Sequence, residues 1–324
     1  MTDVTFLSGG TGTPKLLDGL DTADADVGDV SVVVNTGDDI EISGNLVCPD
    51  VDTVLYTLSG RIDRGKWWGI EGDTHTTHES LTEEDTRVER VESSRRLGEG
   101  RAFSGDGEFM RIGDDDRATH VLRTSALDSG ATLTEATRRL ADRMGVPDET
   151  RVLPVSDDRV ATYIETPEGY EQFQVWWVAH EGKPEVRDVQ FRGSDDAKPT
   201  DAVLDALDAP VIIGPSNPVT SIGPMLAVDG VRDALRETRV VAVSPFVGGE
   251  VVSGPAGKLM RATGLEASSR GVYDAYSDFI DVLVVDGEEI DVDDTGFRVV
   301  NEDTSIDGRE EAVRLVERLV ELVG

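Results

Sequence analysis

The residues best placed for chemistry open the chain. Ser8-Gly9-Gly10-Thr11-Gly12-Thr13-Pro14-Lys15 follows a short apolar run, Val4 to Leu7, and precedes an apolar helical pattern. A buried strand, a loop of small residues and a helix are the expected order. Gly9, Gly10 and Gly12 let the backbone approach a ligand closely. The free N–H groups of the turn and the helix dipole favour an anion, most simply a phosphate. Lys15 would add a positive charge. Thr13 would cap the helix through its hydroxyl, and Pro14 suits the first helical position. A tight strand–helix turn with no ligand is the competing reading. The dinucleotide fingerprint needs a third Gly or Ala, and Lys15 stands there instead. Asn35 ends the second apolar strand, where that fingerprint has an acidic residue. A nicotinamide or flavin dinucleotide is disfavoured on both counts, whereas a phosphate is not.

Carboxylates cluster after the second strand. Asp38 and Asp39 follow Asn35, and Asp50, Asp52 and Thr53 precede an apolar run from Val54 to Leu58. Carboxylates near a helix N-terminus ordinarily act as caps or dipole partners. The competing reading for Asp50 is a ligand to Mg²⁺ or to a substrate hydroxyl, since hard oxygens plus phosphate are the usual Mg²⁺ environment. Two later loops have the same character. Gly214 to Pro224 is rich in Gly, Pro and small polar residues, and its Ser216, Asn217, Thr220 and Ser221 can donate to phosphate or to a nucleobase. Ser253-Gly254-Pro255-Ala256-Gly257-Lys258 lacks the spacing of a P-loop, yet Gly257 and Lys258 can bind an anion through backbone N–H groups and an ammonium. His75 and His78 have the spacing of a metal pair, but they sit in a loop with no further His nearby. Trp67 and Trp68 read equally well as core or as flanks of an aromatic ligand.

The elements that must position these residues follow from periodicity. Val4–Leu7, Val30–Val34, Val211–Ile213, Val240–Val243 and Val282–Val285 read as buried strands, and residues 308–323 as a closing amphipathic helix. Helices are also expected from Gly113 through Leu127 and over 133–144, the latter capped by Thr132 or Thr134. Between 151 and 193 the period changes to two, over Arg151–Val155, Val160–Thr166, Tyr170–Val178 and Val186–Phe191, which predicts an antiparallel β segment. Residues 82–108 are charged and read as a solvated insertion with a helix near 84–96. The fold class predicted is α/β: a Rossmann-like, mostly parallel sheet with helices on both faces, plus an inserted antiparallel β and helical cap. Residues 1–60 and 199–324 would form the nucleotide-binding core, and 61–198 the insert. In a parallel sheet the three small-residue loops would converge at the carboxyl edge on one cleft.

Composition narrows the partners. The net charge is −34, from 65 acidic and 31 basic residues, and only five of the basic residues are lysines. Phosphate backbones and anionic membrane surfaces would be repelled, so neither nucleic acid nor membrane is an expected partner. The acidic residues are dispersed through apolar periodicity, as in a folded protein adapted to high salt, where screening removes most self-repulsion. Stability is therefore expected to rise with KCl in a melting series; maximal stability at low salt would exclude a halophilic origin. Cys48 is the one cysteine, so no intrachain disulfide is possible. There is no run of 18 apolar residues and no basic-then-apolar leader, so a soluble cytoplasmic protein is expected.

The stretches Ser8–Lys15, Asn35–Asp39, Ser43-Gly44-Asn45-Leu46 with Pro49-Asp50, Gly214-Pro215-Ser216-Asn217-Pro218 and Ser253–Lys258 together resemble the 2-phospho-L-lactate transferase family. The resemblance spans nearly the whole chain. It departs over about 83–108 and resumes at Gly113-Asp114-Asp115-Asp116-Arg117-Ala118-Thr119-His120. It implies transfer of a phospholactyl group from lactyl-2-diphospho-5′-guanosine to the terminal ribityl hydroxyl of the deazaflavin Fo. GMP would be released and coenzyme F-420-0 formed. It also implies a Mg²⁺ requirement and a homodimer, and related members use a phosphoenolpyruvyl donor. On this basis Gly10, Gly12, Thr13 and Lys15 would hold donor phosphates, with Ser216, Asn217, Gly257 and Lys258 on the nucleotide side. Asp50 would contact the deazaflavin and orient its hydroxyl, and Arg111 would contact the same ligand. Asp50, Asp38 and Asp39 would be the metal ligands, and the insert would complete the acceptor site. The alternatives are a non-enzymatic sugar-nucleotide-binding regulatory protein on the same scaffold, and a dinucleotide-dependent oxidoreductase.

Overall fold

Apolar runs without alternation predict strands buried on both faces, and the central sheet is built that way. The computed structural model describes residues 2–25, 27–82, 109–251, 254–287, 290 and 297–324. Its strands are β1 (Thr2–Ser8), β2 (Val27–Val34), β3 (Ile40–Ile42), β4 (Asn45–Val47), β5 (Thr150–Pro154), β6 (Ala161–Thr166) and β7 (Gly169–Gln172). They continue with β8 (Asp188–Arg192), β9 (Val211–Ile213), β10 (Val240–Val247), β11 (Glu250–Val251), β12 (Val282–Asp286) and β13 (Arg298–Asn301). The main sheet runs β13-β12-β10-β9-β1-β2-β5 with every neighbouring pair parallel, and β11 folds back antiparallel on β10.

Successive residues of each strand face opposite sides of the sheet. Leu7, Val33, Leu153, Ile213 and Ala242 enter one core, while Phe6, Val32, Val152, Ile212 and Val241 enter the other. The first core is covered by the Asp201–Leu207, Val231–Arg236, Ala256–Ala262 and Ser269–Tyr276 helices, through residues such as Leu207, Leu235, Leu259 and Val272. The second is covered by the Gly12–Leu17, Pro49–Leu58, Leu133–Met144 and Arg309–Val323 helices. The last of these buries Leu315, Val316, Leu319, Leu322 and Val323 along one stripe, each contributing roughly 1.5–3 kcal/mol. Helices thus lie on both faces, as the sequence predicts. The Leu133–Met144 helix has its expected stops: Thr132 and Glu135 form a reciprocal capping box, and Gly145 is left-handed at the far end.

The chain lays down β1, β2 and β5 in one direction, then returns to the other side of β1 for β9, β10, β12 and β13. Connections reverse between β1 and β9, and in such sheets ligands bind at that switch point, outside the carboxyl ends of the strands. A hairpin, β3-β4, and a three-stranded antiparallel sheet, β7-β6-β8, stand above this edge. The Thr162 N–H donates to the Gly37 carbonyl at 2.7 Å, tying the antiparallel sheet to the loop after β2.

Three local expectations are corrected. Residues 150–154 do not join the antiparallel segment. They form β5, parallel to β2 at the sheet edge, so the core sheet draws a strand from within the 61–198 stretch. The strand expected over Tyr170–Val178 stops at Gln172, and Val175–Ala179 winds into a single π-helical turn instead. Four consecutive large apolar residues cannot alternate between core and solvent, and the turn lets Trp176 enter the core while Trp177 leaves it. The Gly12–Leu17 helix begins one residue before Thr13, which makes no capping bond. The helix expected near 84–96 lies outside the described residues. Among the described residues no helix is long and apolar enough to cross a membrane.

Candidate functional site

A cavity of about 570 Å³ opens at the carboxyl edge over the β1–β9 switch point. Its walls draw on all three small-residue loops and on the carboxylates after the second strand. Gly9 to Gly12 and Lys15 line it from the turn after β1, Pro215 to Asn217 from the turn after β9, and Gly254 to Ala256 from the segment before the next helix. Asp38, Asp50, Asp52 and Arg111 line it as well, together with Met110, Phe173, Trp68 and Trp177. One part of the cavity is therefore backbone N–H groups and small residues, and another is apolar and aromatic.

The two turns of the switch point are locked together. Thr13 Oγ1 and Ser216 Oγ are 2.7 Å apart, and the Ser216 hydroxyl also lies 2.7 Å from the Gly9 carbonyl. A Cβ at Gly12 would lie 1.9 Å from the Pro215 carbonyl oxygen, so only glycine allows this approach. Thr13 and Ser216 thus build the cradle from behind: Thr13 does not line the cavity, and both hydroxyls are engaged within the protein. Asn217 lines the cavity and caps the following turn, accepting from the Val219 N–H at 2.9 Å and donating to Thr220 at 3.0 Å. Lys15 reaches the cavity wall with its ammonium 5.7 Å from the Trp67 ring centre. Arg111 is exposed on the cavity wall.

Gly257 and Lys258 are not brought to the cavity, which corrects the expectation that they bind the donor. The Lys258 ammonium donates to the carbonyls of Gly182 at 2.7 Å, Lys183 at 3.2 Å and Pro184 at 2.7 Å. With its donors engaged this way it is not directed at a phosphate. His75 and His78 likewise stand apart from the cavity lining.

The carboxylates separate into two groups with different chemistry. Asp50 opens the Pro49–Leu58 helix and is buried. The Asn35 side-chain amide donates to its Oδ2 at 2.8 Å, and Asn35 is itself held by the Gly37 N–H and the Thr220 carbonyl. Burial raises the Asp50 carboxyl to about 6, against the opposing pull of Asn35 and the Gly10 N–H. Asp38 is raised well above the ordinary range, by burial first and then by the charges of Asp50 and Asp39. Its Oδ1 is a buried oxygen with no hydrogen-bond partner. Two like charges held out of water, one with an unsatisfied oxygen at a cavity wall, fit a divalent cation with oxygen ligands. Asp39 is buried but does not line the cavity. Burial pushes it to about 8, and the Cys48 thiol, which donates to it at 3.1 Å, works against that rise. It stands behind the other two carboxylates rather than beside a ligand.

In the second group, Asp52 reads from sequence as a cap, Asp116 and His120 only as part of the Gly113–His120 motif, and Arg123 carries no sequence reading. Asp52 is gripped by both terminal nitrogens of Arg123, Nη1 at 3.1 Å, and by His120 Nε2 at 3.1 Å. His120 also meets Asp116 at 3.2 Å, and Asp116 accepts from the Tyr56 hydroxyl at 2.7 Å. Burial alone would raise Asp52, but Arg123 and His120 hold it down at about 2. Burial likewise opposes a charge on His120, yet Asp116 and Asp52 raise it to about 9. Asp52, Asp116 and His120 have the proximity of a metal site. Their charges are already compensated by Arg123 and by the imidazolium, so the cluster reads as a buried ion-pair network, and its Asp52, Asp116 and His120 form part of the cavity wall. The sequence does carry a signal for it: Asp116, His120 and Arg123 form an i, i+4, i+7 stripe on the inner face of the Asp114–Asp128 helix, where apolar residues belong. From sequence, Asn35 argues against dinucleotides and belongs to the Asn35–Asp39 stretch of the family resemblance, but its carboxylate-holding role depends on the fold.

Known proteins share this architecture. A family model described as 2-phospho-L-lactate transferase CofD matches residues 4–319. A protein of Haloarcula marismortui named 2-phospho-L-lactate transferase is 51% identical over 98% of each chain. Proteins of the same name are 49% identical in Halobacterium salinarum, over 96% of this chain and 95% of the relative, and 45% identical in Methanosarcina acetivorans, over 98% of each. In structure, a UPF0052-family protein from Bacillus halodurans superimposes with a TM-score of 0.58 at 17% identity, covering 99% of this chain and 98% of its own; this likeness concerns the fold. The carboxyl-edge cavity between two interlocked glycine and serine turns thus belongs to a chain of the 2-phospho-L-lactate transferase family, whose members serve coenzyme F-420 biosynthesis.

Proposed function

We propose that the protein transfers a 2-phospholactyl group from lactyl-2-diphospho-5′-guanosine to the deazaflavin Fo, releasing GMP and forming coenzyme F-420-0. The observation that carries this reading is Asp50. It is a buried carboxylate held by Asn35 at the wall of the cavity that the glycine cradle and the aromatic residues also line. A purely binding protein has no use for such a group, which costs stability where it stands.

In this reading the ribityl hydroxyl oxygen attacks the phosphorus that bears the lactyl oxygen, and the P–O bond to GMP breaks. Asp50 accepts the hydroxyl's hydrogen bond and takes up its proton as the new phosphoester bond forms. The backbone N–H groups of Gly9 to Gly12 and the Lys15 ammonium hold the donor phosphates in line for displacement, which is most of what such a transfer requires. Asp38 and Asp50 would hold Mg²⁺, which when bound supplies neutralisation of charge on the phosphate oxygens. The apolar wall receives the deazaflavin ring, with Arg111 at its exposed edge.

Mass analysis of products after incubation with Fo, Mg²⁺ and each candidate donor tests the proposal. The expected result is Fo enlarged by one phospholactyl group, with one GMP released per product. A product carrying phosphoenolpyruvyl, formed only from that donor, would move the assignment to the related reaction. No product from either donor would overturn it. Lys15→Ala should raise the donor KM by about tenfold, the scale of one charge-assisted hydrogen bond, and leave the Fo KM near its original value. A change in the Fo requirement alone would reverse the two ends of the cavity.

A further inference from the structure

The chain has four tryptophans, and they occur as two tandem pairs, Trp67-Trp68 and Trp176-Trp177. The pairs lie far apart in sequence and on different elements, yet they are used alike. In each, the first indole is an anchor. Trp176 is fully buried and donates through Nε1 to the Pro184 carbonyl at 3.1 Å. Trp67 packs against the second core beneath the Lys15 ammonium. In each, the second indole is pushed out to the cavity wall, where Trp68 is 44% and Trp177 37% exposed. Folding gains nothing from leaving so much aromatic surface in water.

Both exposed rings are held there by features that cost the backbone something. Trp67 has φ +62, a left-handed conformation rare for a bulky residue, and this bend separates it from Trp68. The π-helical turn at Val175–Ala179 separates Trp177 from Trp176, with the two ring centres 6.2 Å apart. Each exposed ring also has a protein partner. The Lys66 ammonium lies 4.7 Å from the Trp68 ring centre. Trp177 rests on Gly182, where an added Cβ would lie 2.8 Å from the ring atom Cε3. Gly182 is in turn fixed: its N–H donates to the Trp176 carbonyl at 2.8 Å, and its own carbonyl receives the Lys258 ammonium at 2.7 Å.

We propose that Trp68 and Trp177 are the ring-contacting, specificity-determining residues for the planar heteroaromatic acceptor, and that Lys258 is the positioning residue that holds the Trp177 platform. The inference rests on the acceptor reading given above and adds which residues recognise the ring. Lys258 lies in the first turn of the Ala256–Ala262 helix, whose start belongs to the cavity-lining Gly254–Ala256 segment, so one residue ties that wall to the acceptor platform.

The test is calorimetric titration of the full chain with Fo, and separately with GDP, for the wild type and for Trp177→Ala, Trp177→Phe, Trp68→Ala and Lys258→Met. Stacking of a flat ring on an indole is worth about 5- to 150-fold in binding. Trp177→Ala and Trp68→Ala should each weaken Fo by an amount in that range, with GDP affinity unchanged, and Trp177→Phe should recover most of the loss. In steady-state assays of the same proteins, Lys258→Met should raise the Fo KM several-fold with kcat and donor KM near wild type. Wild-type Fo affinity in Trp177→Ala would overturn the inference alone. Equal losses of Fo and GDP, or no recovery in Trp177→Phe, would make Trp177 a structural residue and overturn it too. A wild type that binds GDP but not Fo would remove the acceptor reading and this inference together.

Discussion

Asp50→Asn should lower turnover by at least about a hundredfold, the usual contribution of a positioned proton acceptor, while the protein melts at the same temperature or higher. The two halves of this expectation have one cause. Burial raises the Asp50 carboxyl to about 6, above its ordinary range, so at neutral pH the charged form is less favourable in the folded protein than in the unfolded chain. Removing the charge removes that penalty. The amide is isosteric and can still accept from Asn35 through its oxygen, although it cannot accept from Gly10 as well. It can neither take the acceptor's proton nor share a dication with Asp38. Activity and thermal melting measured on the same preparation separate the roles: unchanged turnover excludes the proposed chemistry, and a large fall in melting temperature would make Asp50 a structural cap.

The opposite pattern is expected two residues on. Arg123→Ala should destabilise the fold by about 3–5 kcal/mol, read as a shift in the urea midpoint, because Asp52 would keep its buried charge without its main partner. Arg123→Lys should recover only part of this, since an ammonium cannot reproduce the two-pronged contact. The network also predicts a pH window. His120 is raised to about 9 from an ordinary value near 6.5, so its stabilisation is complete below about pH 6.5 and is lost as pH rises through 9. Asp52 is lowered to about 2 from 3.8, so its stabilisation is present above about pH 4 and is lost as pH falls through 2. Stability should therefore decline between pH 6.5 and 9 in the wild type, with the raised Asp38 and Asp39 carboxyls adding to the decline, and the slope should be shallower in His120→Gln. A slope equal to the wild type's would show that His120 is not charged in the folded protein.

The contrast between Asp50 and Asp52 shows what could be read from the sequence. Strand–turn–helix grammar is local, so the Gly9–Gly12 cradle and the Gly214–Asn217 turn were visible as glycines and small residues after apolar runs. Parallel pairing then placed them together. Which partners each carboxylate of a helix start meets is not local. Asp50 meets Asn35 from the second strand, and Asp52 meets Arg123 from 71 residues away. Lys258 was misread for the same reason: a lysine after a glycine loop looks like an anion ligand until the fold brings the carbonyls of Gly182 to Pro184 against it. Trp177 was lost to a period error, since Val175–Val178 reads as strand by composition and becomes a π turn by packing.

The strand order also has a consequence for the chain as it is made. Phe6 of β1 pairs with Ile212 of β9, so at ribosomal speeds of about 5–20 residues per second the partner edge emerges about 10–40 s later. Through that interval β1, β2 and β5 can pair, but the Thr5–Leu7 edge of β1 stays open and apolar, a template for any other strand nearby. The glycine turn is unformed over the same period, because the Pro215 carbonyl and the Ser216 hydroxyl that shape it have not been synthesised. A chain cut or truncated before Val211 would keep an apolar half-sheet whose β1 edge has no partner strand. The cavity at this turn cannot form until the final third of the chain has begun to appear.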